Sequence, residues 1–219
     1  MLKRNGRLML AGALLVSSAV QAQGVAADGQ QVAMQGDGSG APCMACHGMD
    51  GAGNNAAGFP RLAGLDAAYI AKQIRDYNAG TRVSGVMQPN VDNLTEQQIL
   101  DVSAYYAAQP VPKAQTGGDA ELLALGEKLA KRGDWDNYIP ACESCHGPDN
   151  QGVGASFPGL AGQHGNYIKQ QLNAWRSGAR HNDPNQLMTG VAERLSEQQI
   201  EAVAAYLGSR QAVAAEGGQ

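Results

Sequence analysis

The chain has 219 residues, with 16 lysines and arginines against 20 aspartates and glutamates, 43% hydrophobic and 5% aromatic residues. An acidic balance with no basic cluster argues against nucleic acid or anionic lipid as a partner and favours one that presents a basic patch. The beginning is the exception: Lys3, Arg4 and Arg7 precede an apolar run from Leu8 to Val20 and the small-residue exit Val20-Gln21-Ala22. This order predicts a signal peptide over residues 1–22, cut after Ala22, and hence export to the periplasm. The run is shorter than the ~20 residues a spanning helix needs, and no other segment is apolar enough to span a membrane. Cleavage removes three basic residues and no acidic ones, leaving 13 against 20 and a net charge near −7.

Residues 23–109 read as the first domain. A helix is expected at about 28–36, followed by Cys43-Met44-Ala45-Cys46-His47. Two thiols three residues apart share one face of a helical turn, so both can add to the vinyl groups of one porphyrin while the adjacent imidazole reaches the iron. A thioredoxin-like dithiol needs no following histidine, and a zinc site would use two cysteine pairs as one ligand set. Covalent haem attachment explains the histidine. The loop Phe59-Pro60-Arg61-Leu62-Ala63-Gly64 leads to a helix at about 66–79. Leu94-Thr95-Glu96-Gln97-Gln98-Ile99 then opens the last helix, with Thr95 and Gln98 as a capping box and Leu94 and Ile99 as a staple. Its stripe of Ile99, Val102, Ser103 and Tyr106 faces the core.

Residues 110–118, rich in proline and then glycine, read as a linker. The pattern then repeats over residues 119–210. A helix at about 119–132 precedes Cys142-Glu143-Ser144-Cys145-His146. Phe157-Pro158-Gly159-Leu160-Ala161-Gly162 precedes a helix at about 163–177, and Leu195-Ser196-Glu197-Gln198-Gln199-Ile200 repeats both capping devices. Residues 211–219 read as a flexible tail. No alternating apolar and polar run suits a strand, so the fold is all-α, and a buried haem supplies the apolar mass that two small domains lack. All four cysteines are committed to haem, so no disulfide is expected.

His47 and His146 are the proximal iron ligands by position. In the first domain Met44 and Met49 lie too close to the attachment turn to reach the opposite face, and Met34 matches Lys131, which leaves Met87. Met188 is the only methionine of the second domain and stands seven residues before Leu195, as Met87 stands seven before Leu94. Symmetry makes both methionines distal ligands. His164 and His181 have no counterparts and read as surface or loop residues, with His181 the next candidate should Met188 fail. The loop before Met188 is longer than that before Met87. Arg82 and Arg180 are candidates for haem propionates, although a surface position suits either alone.

These motifs, spread over nearly all of the mature sequence, resemble the class I c-type cytochromes, and the duplication is similar to the dihaem cytochrome c4 family. The resemblance implies that the carbonyls of Pro60 and Pro158 accept a bond from the proximal histidines, and that the domains pack about a pseudo-twofold axis. It also implies a periplasmic carrier between a quinol-oxidising complex and a terminal oxidase or reductase, resting loosely on the membrane. Two six-coordinate irons leave no open metal position for a substrate, so electron transfer is expected rather than catalysis. The alternative is a haem-carrying subunit of a periplasmic dehydrogenase, for instance one acting on a sulfur compound. A dihaem peroxidase would need one iron without methionine.

Overall fold

The computed structural model describes residues 23–215; the expected signal peptide and residues 216–219 lie outside them. The first half holds α1 (Ala26–Gln35), α2 (Met44–His47), α3 (Ala67–Asn78) and α4 (Glu96–Ala107). The second holds α5 (Ala120–Arg132), α6 (Glu143–His146), α7 (Gly165–Arg176), α8 (Leu187–Arg194) and α9 (Glu197–Ser209). Among the described residues there are only isolated bridges and no strand.

Each half is built on the crossing of its first and last helices. The crossing depends on one glycine. A Cβ on Gly29 would lie 1.9 Å from the Asp101 carbonyl oxygen, and one on Gly126 would lie 2.1 Å from that of Ala202. The last helices begin as expected, since Thr95 with Gln98 and Ser196 with Gln199 both form complete capping boxes. The predicted stripes are buried: Ile99, Val102, Ser103 and Tyr106 in α4, and Ile200, Val203, Ala204 and Leu207 in α9. Exposed ion pairs tie the third helix of each half to the last, Arg75 with Glu96 and Arg176 with Glu197. Pairs of this kind contribute little individually.

The halves depart from each other before the last helix. The first has only a 3-10 turn at Gln88–Asn90, whereas the longer second loop folds into α8. That loop conceals a helix because its start is set by a side chain: Asp183 accepts from the Thr189 amide at 2.9 Å.

The two halves exchange reciprocal backbone bonds, Val83 N–H to Ala179 O at 2.8 Å and His181 N–H to Thr81 O at 2.9 Å. Such an exchange is what a pseudo-twofold axis produces. The stretch expected to be a flexible tail is instead a strap over residues 211–215. Gln211 Oε1 accepts from the Ala114 amide at 3.0 Å, the Val213 amide donates to Gln151, and the Ala215 amide donates to Gly64 O at 2.9 Å. The stretch has no helical or strand pattern, but its backbone groups find partners in the linker and in both halves.

Candidate functional site

In each half the attachment turn and the Phe-Pro loop are pinned together. The Gly51 carbonyl accepts from Leu62 N at 2.7 Å and Ala63 N at 3.0 Å, and in the second half Asn150 O accepts from Leu160 N at 2.8 Å and Ala161 N at 3.1 Å. This brings the Pro60 carbonyl 3.1 Å from His47 Nδ1 and the Pro158 carbonyl 2.8 Å from His146 Nδ1. Each imidazole therefore donates from Nδ1 and leaves Nε2 as a lone-pair donor. Burial lowers the pKa of both histidines, so the neutral form that binds metal prevails. His47 Nε2 is buried without a hydrogen-bond partner. The left-handed position that Gly51 fills at φ 66° is taken by Asn150 at φ 59°. The difference follows the neighbour, because a Cβ on Gly51 would lie 2.8 Å from the Tyr106 ring, and Leu207 stands where Tyr106 does.

One continuous cavity of about 710 Å³ runs through both halves and is lined by Cys43, Cys46, His47 and Met87 and by Cys142, Cys145, His146 and Met188. Both methionines thus share a cavity with both histidines, while His181 is exposed and its ring meets the Gly178 carbonyl at 3.1 Å. The four thiols are unpaired, and burial pushes those of Cys43 and Cys142 up to about 11, so both are protonated at neutral pH.

Arg82 and Arg180 are buried rather than at the surface, at 4% and 5% exposure. Arg82 donates to Tyr167 Oη at 2.6 Å and Gln171 Oε1 at 2.7 Å in the other half, and to Gln73 at 2.9 Å in its own. Arg180 mirrors it, donating to Tyr69 Oη at 3.3 Å, Gln73 at 2.9 Å and Gln171 at 2.9 Å. Neither meets a carboxylate among the described residues. Arg180 also stacks over Trp175 at 4.0 Å, and the Trp175 indole N–H, in the cavity wall, is buried without a partner. Two buried cations and an unused donor require an anion. Free thiols, a free imidazole nitrogen, paired methionines and anion-seeking walls together fit an iron porphyrin with carboxylate side arms in each half.

Sequence reasoning missed Gln73 and Gln171. They stand 98 residues apart, the spacing of Arg82 and Arg180 and of Tyr69 and Tyr167, and this common offset was the available signal. It also missed Arg61, which is 2% exposed and crosses to the other half. Its Nη2 donates to Ala161 O at 3.1 Å and its Nε to Gly162 O at 3.2 Å, while Gln163 brackets its backbone with bonds of 2.9 Å to N–H and C=O. His164 is half-buried rather than free, with Nε2 donating to Ala52 O at 2.8 Å.

A family model described as Cytochrome c matches residues 26–108 and again 123–211. Among curated relatives, the thiosulfate dehydrogenase electron acceptor of Stutzerimonas stutzeri (strain A1501) is 46% identical over 200 residues, spanning 90% of this chain and 92% of the relative. Cytochrome c4 of Thiocapsa roseopersicina is 44% identical over 168 residues, spanning 75% and 85%. Among solved structures, the thiosulfate dehydrogenase TsdBA of Marichromatium purpuratum superposes with a TM-score of 0.78 at 44% identity, over 85% of this chain but only 40% of that longer one. Reduced recombinant cytochrome c4 from Pseudomonas stutzeri superposes with a TM-score of 0.74 at 37% identity, over 86% of this chain and 100% of that one.

Proposed function

Because the chain belongs to the cytochrome c family, as a tandem two-domain member with two covalently bound haem c groups, we propose that it is a periplasmic acceptor of electrons from a dehydrogenase of an inorganic sulfur compound. It passes them to a terminal oxidase or reductase. Each haem, when bound, supplies one reversible one-electron couple. The observation that supports the carrier reading is the shared cavity, to whose wall each half contributes a cysteine pair, a histidine and a methionine.

Cys43 and Cys46, and Cys142 and Cys145, form the thioethers. His47 with Met87, and His146 with Met188, would hold the two irons, and a methionine available to each favours a carrier over a peroxidase. Pro60 and Pro158 hold the imidazoles in one tautomer and orientation, so neither ring turns when the charge at the metal changes. Arg82, Arg180 and the Trp175 indole would neutralise and hold the propionates at the junction of the halves.

Relatives named as thiosulfate dehydrogenase electron acceptors, at 46% and 44% identity, support this donor. Mixing oxidised holoprotein with a thiosulfate dehydrogenase and thiosulfate in a stopped-flow instrument is expected to reduce both haems. The cytochrome c4 relatives support a second reading, a carrier fed by a quinol-oxidising complex. Reduction by that complex and not by the dehydrogenase would establish it instead.

A further inference from the structure

The loop just before the second attachment motif does something that its counterpart in the first half does not. Asp134 and Ile139 exchange backbone bonds of 2.8 and 2.9 Å, and the four residues between them form a projecting tip. The tip is held from beneath, because the Asp134 carboxylate accepts from Asn137 at 2.8 Å and from Gln199 of α9 at 2.9 Å. It carries Trp135 and Tyr138, 67% and 78% exposed. Tyr138 has φ 56° and ψ 34°, a left-handed conformation that bulky residues seldom adopt. In the first half the matching stretch, Gly38-Ser39-Gly40-Ala41, bears no aromatic residue and folds back onto Asn90 and Asn93.

The tip stands at the rim of the second haem site. Ile139, Pro140, Ala141 and Cys142, which follow it directly, line the cavity, and Leu187, 51% exposed, lines it from α8. Two large aromatic side chains on a rigid support contribute nothing to the core where they stand. Tryptophan and tyrosine are the residues that most often anchor protein interfaces, since they bury much area at a small cost in side-chain entropy. The surrounding charge is acidic on balance: Asp134, Asp136, Glu143 and Asp149 stand against Lys128 and Arg132, while Lys131 is paired with Glu127.

We propose that the Trp135–Tyr138 tip is the docking site for a redox protein whose own cofactor edge lies in an apolar patch rimmed by lysines, so that this partner exchanges electrons with the second half rather than the first. The proposal rests on the electron-carrier reading but not on the identity of the donor. The apolar contact holds the partner, and the acidic surround steers it.

The test compares wild type with the double variant Trp135→Ala/Tyr138→Ala, with Met34→Ser, half exposed on α1 of the first half, as a control. The probe is a lysine-rimmed cytochrome c, mixed by stopped flow at several ionic strengths. The double variant is expected to keep its visible spectrum, both potentials and its reduction by ascorbate, while its bimolecular rate with the probe falls about tenfold or more. Salt slows the wild type, and the control variant matches it. A double variant that reacts with the probe at the wild-type rate, or a loss of rate in Met34→Ser instead, overturns the proposal. A dehydrogenase that fails to reduce the wild type removes the assigned donor and leaves this comparison intact.

Discussion

Replacing Arg61 with glutamine is expected to lower both haem potentials together. The Nη1 of this side chain donates to Ala63 O and its Nη2 to Ala161 O, and those two alanines hold equivalent places in the two halves. The guanidinium therefore sits close to the pseudo-twofold axis, at a similar distance from each proximal histidine. Among the described residues no carboxylate pairs with it. Burial lowers its pKa to about 10, which still leaves it charged at neutral pH. A unit charge on the order of 10 Å away in a medium of effective dielectric constant ~20 interacts with the iron by roughly 1.7 kcal/mol. At ~59 mV per tenfold change for one electron, this amounts to roughly 70 mV favouring the reduced state of each iron. Spectroelectrochemical titration of the Arg61→Gln holoprotein should show both midpoints falling by that order, with their separation nearly unchanged. A shift confined to one haem, or no shift in either, would refute the placement of the charge on the axis.

Three further outcomes are expected. Met188→Ala should remove about half of the weak near-infrared band of methionine-ligated oxidised haem and lower one potential only; an intact band would show that Met188 is not the ligand. Gly126→Ala should destabilise the second half by about 1–3 kcal/mol in urea unfolding, because the new methyl group would collide with the Ala202 carbonyl, 2.1 Å from its position. His164, whose pKa burial lowers, titrates below its value in the unfolded chain. Its contribution is complete above pH ~6.5 and is lost as pH falls toward the folded value, so wild type should lose more stability than His164→Gln between pH ~7 and the acid side. Equal losses would exclude this titration as the cause.

Much of this was legible because each half checks the other. Met87 and Met188 stand at a common distance from a capping box, and both line the cavity that His47 and His146 also line. What repetition reveals, however, it also conceals. Arg61 lies opposite Gly159, and Leu65 opposite Gln163, so comparison of the halves marks these positions as mere divergence. They diverge because each answers to a different neighbour: Arg61 crosses the junction and is bonded by Gln163, whereas a Cβ on Gly159 would lie 2.7 Å from the Gln151 carbonyl oxygen. The α8 helix was missed because its start depends on Asp183, six residues from the amide that it caps. The strap at 211–215 was missed because its partners lie far away in the chain and the segment itself has no periodicity.

The exchanged arginines also bear on how the protein is made. Arg82 is held by Tyr167 and Gln171 of the second half, and Arg180 by Tyr69 and Gln73 of the first, so each half contributes a cation to its neighbour's wall. A chain that has received only one haem would have to bury a positive charge against a void in order to close, at a cost of several kcal/mol. Closure of the two halves would then depend on both haems being in place. A protein blocked at Cys142 and Cys145 should carry its first haem yet stay open, cut by protease within residues 110–118, while the doubly loaded chain shuts and survives. The cell's degradation machinery would then clear half-finished cytochrome without any dedicated sensor.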